Sequence, residues 1–156
     1  MKSISFSLLL ICLISCSSFK PIDTLTTDKG QIKNAAAGIN FIEGDWKKAL
    51  VKAKAEKKLI FVDAYATWCG PCKKLQKEVF PDAAVSAFFN KNYINITIDV
   101  EKGQGVEFAQ KYGVEVLPTL YITDENGNPI TFTKGFMSAA DLLKFGQFGV
   151  QKASKK

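Results

Sequence analysis

The run Leu59-Ile60-Phe61-Val62-Asp63-Ala64-Tyr65 is followed four residues later by Cys69-Gly70-Pro71-Cys72, and this junction limits the folds open to the chain. A nearly continuous apolar run bounded by charge suits a central strand buried on both faces, which requires helices above and below a sheet. If Gly70 and Pro71 open a helix, the spacing of three brings the two cysteine Cα atoms to about 5–6 Å, inside the window a disulfide accepts. Pro71 fixes φ in a first turn that needs no amide hydrogen. A cysteine at a helix N-terminus has its thiolate stabilised by free backbone amides and by the positive end of the helix dipole. Lowering a thiol pKa from about 8.5 to about 7 raises the thiolate fraction at neutral pH from roughly 3% to roughly 50%. Cys69 holds that position, with Lys73 and Lys74 adding positive potential, and Cys72 lies deeper as the resolving thiol. Trp68 is read as the rim of the site, with core packing as the alternative.

A Cys-x-x-Cys pair also serves zinc, haem and structural bridges. The chain has no histidine and four cysteines. Haem attachment needs histidine directly after the second cysteine, where this chain has Lys73. A four-thiolate zinc site would need Cys12 and Cys16, which lie in a targeting segment. A redox pair and an inert structural bridge remain open, and neither calls for a metal or an organic cofactor.

The targeting segment begins with Lys2 and an apolar run from Ile4 to Ile14, too short to span a bilayer. Leu13-Ile14-Ser15-Cys16 resembles a bacterial lipoprotein signal, cut before a cysteine that is then lipidated. The expected organisation is a signal over 1–15, a lipidated N-terminus and flexible tether over 16–40, and a domain over 41–156. The tether would average about 25–30 Å end to end as a coil. An ordinary secretory signal is the alternative. Either one places the domain outside the cytosol, where disulfides persist.

The net charge of +6 comes from lysine without arginine, so the bidentate forks that favour phosphate and base recognition are missing. Nucleic acid is therefore not an expected partner, although attraction to anionic lipid headgroups is compatible with this surface. Gly103-x-Gly105 is a loop before a helix rather than a nucleotide fingerprint, because position 108 is Phe.

Periodicity and caps supply the elements. A short strand falls near Ile39 to Ile42, and Asp45 caps a helix with Trp46, Ala49, Leu50 and Ala53 on one face. After the central strand, a helix runs from about Gly70 to Phe80, where Pro81 stops it and Asp82 caps another. Tyr93 to Val100 is a second central strand, and Val106 to Tyr112 a helix closed by Gly113. Thr119 to Thr123 and Ile130 to Lys134 flank the turn signal Asn126-Gly127. Ser138 caps a last helix to about Gln151. This order specifies an α/β fold, a three-layer α/β/α sandwich around a mixed sheet.

From about Phe41 to Lys152 the chain resembles the thioredoxin-fold family, on the block Trp68-Cys69-Gly70-Pro71-Cys72-Lys73 and three further matches. Asp63 falls where the family places a buried acid, Val116-Leu117-Pro118-Thr119 matches the loop whose proline is cis and faces the cysteines, and Lys134-Gly135 matches a glycine bordering the substrate groove. Gly135-Phe136-Met137 and Val79-Phe80-Pro81-Asp82 are more similar to the periplasmic carboxy-terminal domain of the membrane thiol:disulfide interchange protein DsbD than to cytosolic thioredoxin. Two positions depart from the family: Asn95 stands where many members have lysine near the buried acid, and Lys77 where many have a helix-kinking proline.

The resemblance implies a monomeric protein-disulfide reductase of the periplasm, exchanging dithiol for disulfide through Cys69 and Cys72. Asp63, the one charge in its strand, would be raised in pKa by desolvation and relay a proton to and from Cys72; a strand-end aspartate held by a backbone amide is the alternative. Pro118 is expected to be cis by resemblance alone, since only about 5–6% of X–Pro bonds are. The Leu117 backbone would then pair with an extended substrate, beside Trp68, Gly70, Pro71 and Gly135. Expected partners are disulfide-containing exported proteins, including apocytochrome c, and a membrane electron-donor thiol reductase. An isomerase or oxidase, or a peptide-binding module with a structural disulfide, are the other readings.

Overall fold

The computed structural model describes residues 38–155. The signal over 1–15, the lipidation position Cys16 and nearly all of the tether lie outside the described residues. Five strands form one mixed sheet in the order β1-β3-β2-β4-β5, with β1 Phe41–Glu43, β2 Leu59–Tyr65, β3 Tyr93–Asp99, β4 Thr119–Thr123 and β5 Pro129–Lys134. β3 is parallel to both β1 and β2, whereas β4 is antiparallel to β2 and β5. The apolar run therefore sits at the centre of the sheet, and its residues are buried on both faces as their composition requires.

Alternation along β2 sends its side chains into two cores. Ile60, Val62 and Ala64 pack with α1, Trp46–Glu56, and α4, Gln104–Tyr112. Phe61 turns to the opposite face, under α3, Ala83–Asn92, and α5, Ala139–Ala153. Helices on both faces of the sheet make the three layers expected from the sequence. On the second face α5 lies close against the strands, because a Cβ on Gly149 would come within 2.4 Å of Ile122 Cδ1. Gly105 has a similar reason to be glycine: a Cβ there would run into the Asp99 carbonyl oxygen, so the first turn of α4 packs directly on the end of β3.

Two expectations are corrected. Residues 38–40, assigned to the tether, are held against the fold. Ile39 N–H donates to the Phe80 carbonyl at 3.1 Å, Asn90 Nδ2 donates to the Gly38 carbonyl at 3.1 Å, and Ile39 joins the core. The first strand accordingly begins at Phe41 rather than Ile39.

The cysteine helix is not one α-helix to Phe80. α2 covers Gly70–Lys74, and Leu75–Val79 continues as a π-helix closed by Phe80 N–H donating to the Leu75 carbonyl at 2.9 Å. Nothing in Leu75-Gln76-Lys77-Glu78-Val79 breaks a helix, so local propensity gives no warning. Tertiary packing accounts for the change. The wider turn lets Leu75, Val79 and Phe80 all reach the core, where the Phe80 ring packs against Phe41 and Phe61. The π turn begins three residues after Cys72 and contains Lys77, the position at which the family resemblance leads one to expect a helix-kinking proline.

Candidate active site

Cys69 is the N-cap of α2, and the helix grows from it. Cys69 Sγ accepts the Cys72 backbone N–H at 3.2 Å, while the Cys69 carbonyl accepts from Lys73 N–H at 3.2 Å. Pro71 occupies the first turn, and Gly70 and Pro71 are exposed. The two sulfurs are joined as a disulfide with Cα atoms 5.3 Å apart. A negative charge developing on Cys69 Sγ would meet an amide already aimed at it and the positive end of the helix.

The pair is well covered in this oxidised form. Cys69 exposes 2% of its surface and Cys72 1%, packed with Ala66 and Leu117. The exposed residue beside the pair is Trp68, at 67%. Its indole Nε1 donates to Glu101 Oε1 at 2.8 Å, which anchors the ring at the rim rather than in the core.

The Leu117–Pro118 peptide bond is cis. Leu117 touches the cysteine cluster, and the Pro118 carbonyl accepts from Gly135 N–H at 2.7 Å. That bond ties the start of β4 to the end of β5 and brings Gly135, with φ of +88°, to the same edge as the cysteines. Beside it Lys74 Nζ stands 4.7 Å from the centre of the half-exposed Phe136 ring. The sequence offers Lys74 as positive potential near Cys69 and Phe136 as part of the Gly135-Phe136-Met137 motif, whereas the part Glu101 plays in holding Trp68 has no local signal.

Asp63 is buried completely in β2, on the face of the sheet that carries the cysteine helix. Its register partner across β3 is Thr97, whose hydroxyl donates to Asp63 Oδ2 at 3.3 Å. Oδ1 meets no hydrogen-bond partner among the described residues. Burial pushes the carboxyl up to about 7, against smaller downward pulls from Thr97 and the nearby amide of Gln76. Gln76 does not close a hydrogen bond of good geometry on it, so the burial effect dominates. No cation relieves it from β3: Asn95 turns its amide to the Phe89 carbonyl and Asn90 Oδ1. The backbone-amide alternative for Asp63 finds no hydrogen bond here.

A cavity of about 340 Å³ opens beside the carboxyl, lined by Asp63, Thr97, Gln76, Glu43, Tyr65 and Phe80 among others. It was not legible in the sequence, because its walls come from β1, β2, β3 and the π turn together.

A family model described as a thioredoxin-like domain matches residues 46–149. A thiol:disulfide interchange protein DsbD of Vibrio vulnificus is 34% identical over 126 residues, which is 76% of this chain and 21% of that protein. The chain thus spans about a fifth of the length of that curated relative. Among solved structures, a candidate disulphide-isomerase of Bacteroides thetaiotaomicron is 45% identical, with a TM-score of 0.66 over 74% of this chain and 95% of the other. The oxidised carboxy-terminal domain of Neisseria meningitidis DsbD is 19% identical with a TM-score of 0.58, over 69% and 98% of the two chains, a likeness of fold. The bridged Cys69–Cys72 pair supports dithiol–disulfide exchange.

Proposed function

The chain belongs to the thioredoxin-like family, and on that premise we propose that it is an extracytoplasmic protein-disulfide reductase, tethered to a bacterial membrane through lipidated Cys16. The observation that carries the reading is the Cys69–Cys72 bridge at a helix start, with Cys69 Sγ facing a backbone amide and the cis Leu117–Pro118 bond beside it. The Cys69 thiolate attacks a client disulfide; one client sulfur leaves as a thiolate and takes a proton, and a mixed disulfide forms. Cys72 then gives its proton to the Asp63 carboxylate and attacks Cys69, releasing the second client sulfur. The client gains two electrons and two protons, and the cysteine pair is left oxidised. Asp63 suits the relay because its affinity for a proton is balanced near neutral pH.

Trp68, Gly70, Pro71, Leu117, Pro118 and Gly135 form the contact surface for an extended client segment, which pairs with the Leu117 backbone as an added strand. The clients are disulfide-containing exported proteins, apocytochrome c among them. Similarity to DsbD over the domain supports a periplasmic place and a membrane thiol reductase as electron donor. The protein acts as a monomer, with no nucleic-acid partner and no cofactor.

Isomerase activity is the second reading, favoured by the Bacteroides thetaiotaomicron relative. Insulin reduction and recovery of scrambled ribonuclease, run side by side, separate the two. A reductase scores in the first and poorly in the second, with Cys69→Ser inactive in both. A Cys72→Ala variant should retain clients as mixed disulfides that mass spectrometry can identify.

A further inference from the structure

A reductase of this design has a proton problem while it works. The client segment covers the face that holds Trp68, Cys69 and Leu117 during the mixed-disulfide stage. Cys72 must lose its proton at that stage, and the acceptor Asp63 must later return it to solvent. Asp63 itself has no exposed surface.

The cavity beside β1 reaches Asp63 from another direction. Its lining runs from the exposed residues Glu43 and Pro81 to the buried Asp63 carboxyl, whose Oδ1 is unpartnered among the described residues. Cys69, Cys72, Leu117 and Pro118 are not among its lining residues. At about 340 Å³ it far exceeds the roughly 10–15 Å³ that one water requires, and the Asp63, Thr97, Gln76 and Glu43 side chains offer polar partners along it. Ile39 and Gly38 form part of its wall, which gives the anchoring of residues 38–40 a purpose beyond packing.

We propose that this cavity is the route by which Asp63 exchanges its proton with solvent while a client covers the cysteine face, with Glu43 as the carboxylate at its mouth. Cys72 thiol and Asp63 carboxylate become Cys72 thiolate and Asp63 acid; the acid then passes its proton to water in the cavity and on to Glu43 or bulk solvent. Thr97 from β3 and Gln76 from the π turn lie against the Asp63 carboxyl, and Glu43 from β1 and Tyr65 from β2 share the cavity with it. Asp99 and Lys102 lie in the adjoining recess beyond Tyr65 and Thr97. The inference rests on the reading of Asp63 as the proton relay.

The test compares two releases from Cys69 at pH 7 in the full chain: a disulfide-linked protein client, which covers the face, and 2-nitro-5-thiobenzoate, which leaves it open. Glu43→Trp fills the mouth from an exposed position, and Glu43→Gln removes the carboxylate without changing the size of the side chain. The ratio of client release to thiobenzoate release should fall at least about threefold in Glu43→Trp and by less in Glu43→Gln. An unchanged ratio in both variants overturns the route, as does equal slowing of both releases. Asp63→Asn should slow both; if it slows neither, the relay reading itself fails, and that result is distinguishable from failure of the cavity alone.

Discussion

Two buried carboxyl groups on neighbouring strands receive opposite treatment. Asp99, at the end of β3, accepts the Glu101 backbone N–H at 3.1 Å on Oδ1, and its Oδ2, although it accepts no hydrogen bond of good geometry among the described residues, has the Lys102 ammonium 3.0 Å away as a compensating charge. Asp63, in the middle of β2, has one hydroxyl at 3.3 Å and an oxygen without a partner among the described residues. A buried acid that serves structure is supplied with donors and charge, because an uncompensated one opposes folding. Asp63 lacks those donors and so holds a proton near neutral pH, which is what a relay to a buried thiol needs. The contrast separates an acid that organises a loop from one kept for chemistry at the expense of stability.

The largest test of that contrast is stability at alkaline pH. In the unfolded chain an aspartate gives up its proton near 3.8, whereas folded Asp63 keeps it to about 7. The unfolded state therefore binds fewer protons between these values, and stability falls as pH rises through that window. Above pH 7 the opposing contribution is roughly 4 kcal/mol. Asp63→Asn should stabilise the fold by up to about that amount at pH 8 and flatten the decline between pH 4 and 7 in urea unfolding. Asp99→Asn should act the other way, lowering stability by about 1–3 kcal/mol through weakened partners.

Kinetics sharpen the same contrast. Asp63→Asn should slow the Cys72 resolving step by about tenfold or more at pH 7, measured by stopped-flow release from a Cys69 adduct. Asp99→Asn should leave that step within about twofold of the parent, since Asp99 is held by its own loop. A smaller effect is expected from Thr97→Val, which removes the hydroxyl that favours the charged form. The Asp63 titration should move further up by less than about one pH unit, followed by its carboxyl NMR signal, for the loss of one hydrogen bond. Lys102→Met should give the smallest change, because its ion pair is exposed at the lysine end. Thermal unfolding of that variant at low and high salt is expected to track the parent closely.

Much of this contrast is legible in the sequence. The isolated Asp63 in an apolar strand announced a desolvated acid, and Asn95 in place of a lysine foretold the missing cation. The caps Asp45, Asp82, Gly113 and Ser138 stand where the sequence placed them, because capping is a local interaction between a side chain or glycine and its own first or last turn. What escaped depends on contacts far apart in sequence. The π turn answers to packing of Phe80 on Phe41 and Phe61, and the Trp68–Glu101 bond spans 33 residues. Cys69 and Cys72 are buried in a cluster that Val100 and Leu117 join from far along the chain, which no local pattern could give.

The central claim is that Cys69 ionises easily at the head of its helix. After reduction of the full chain, peptide-resolved mass spectrometry can follow iodoacetamide labelling of Cys69 at pH 6.5 against an ordinary exposed thiol. A thiol with its pKa lowered to about 7 should be labelled about fivefold faster, its larger thiolate fraction outweighing its lower intrinsic nucleophilicity. Labelling at or below the rate of the ordinary thiol would contradict the account.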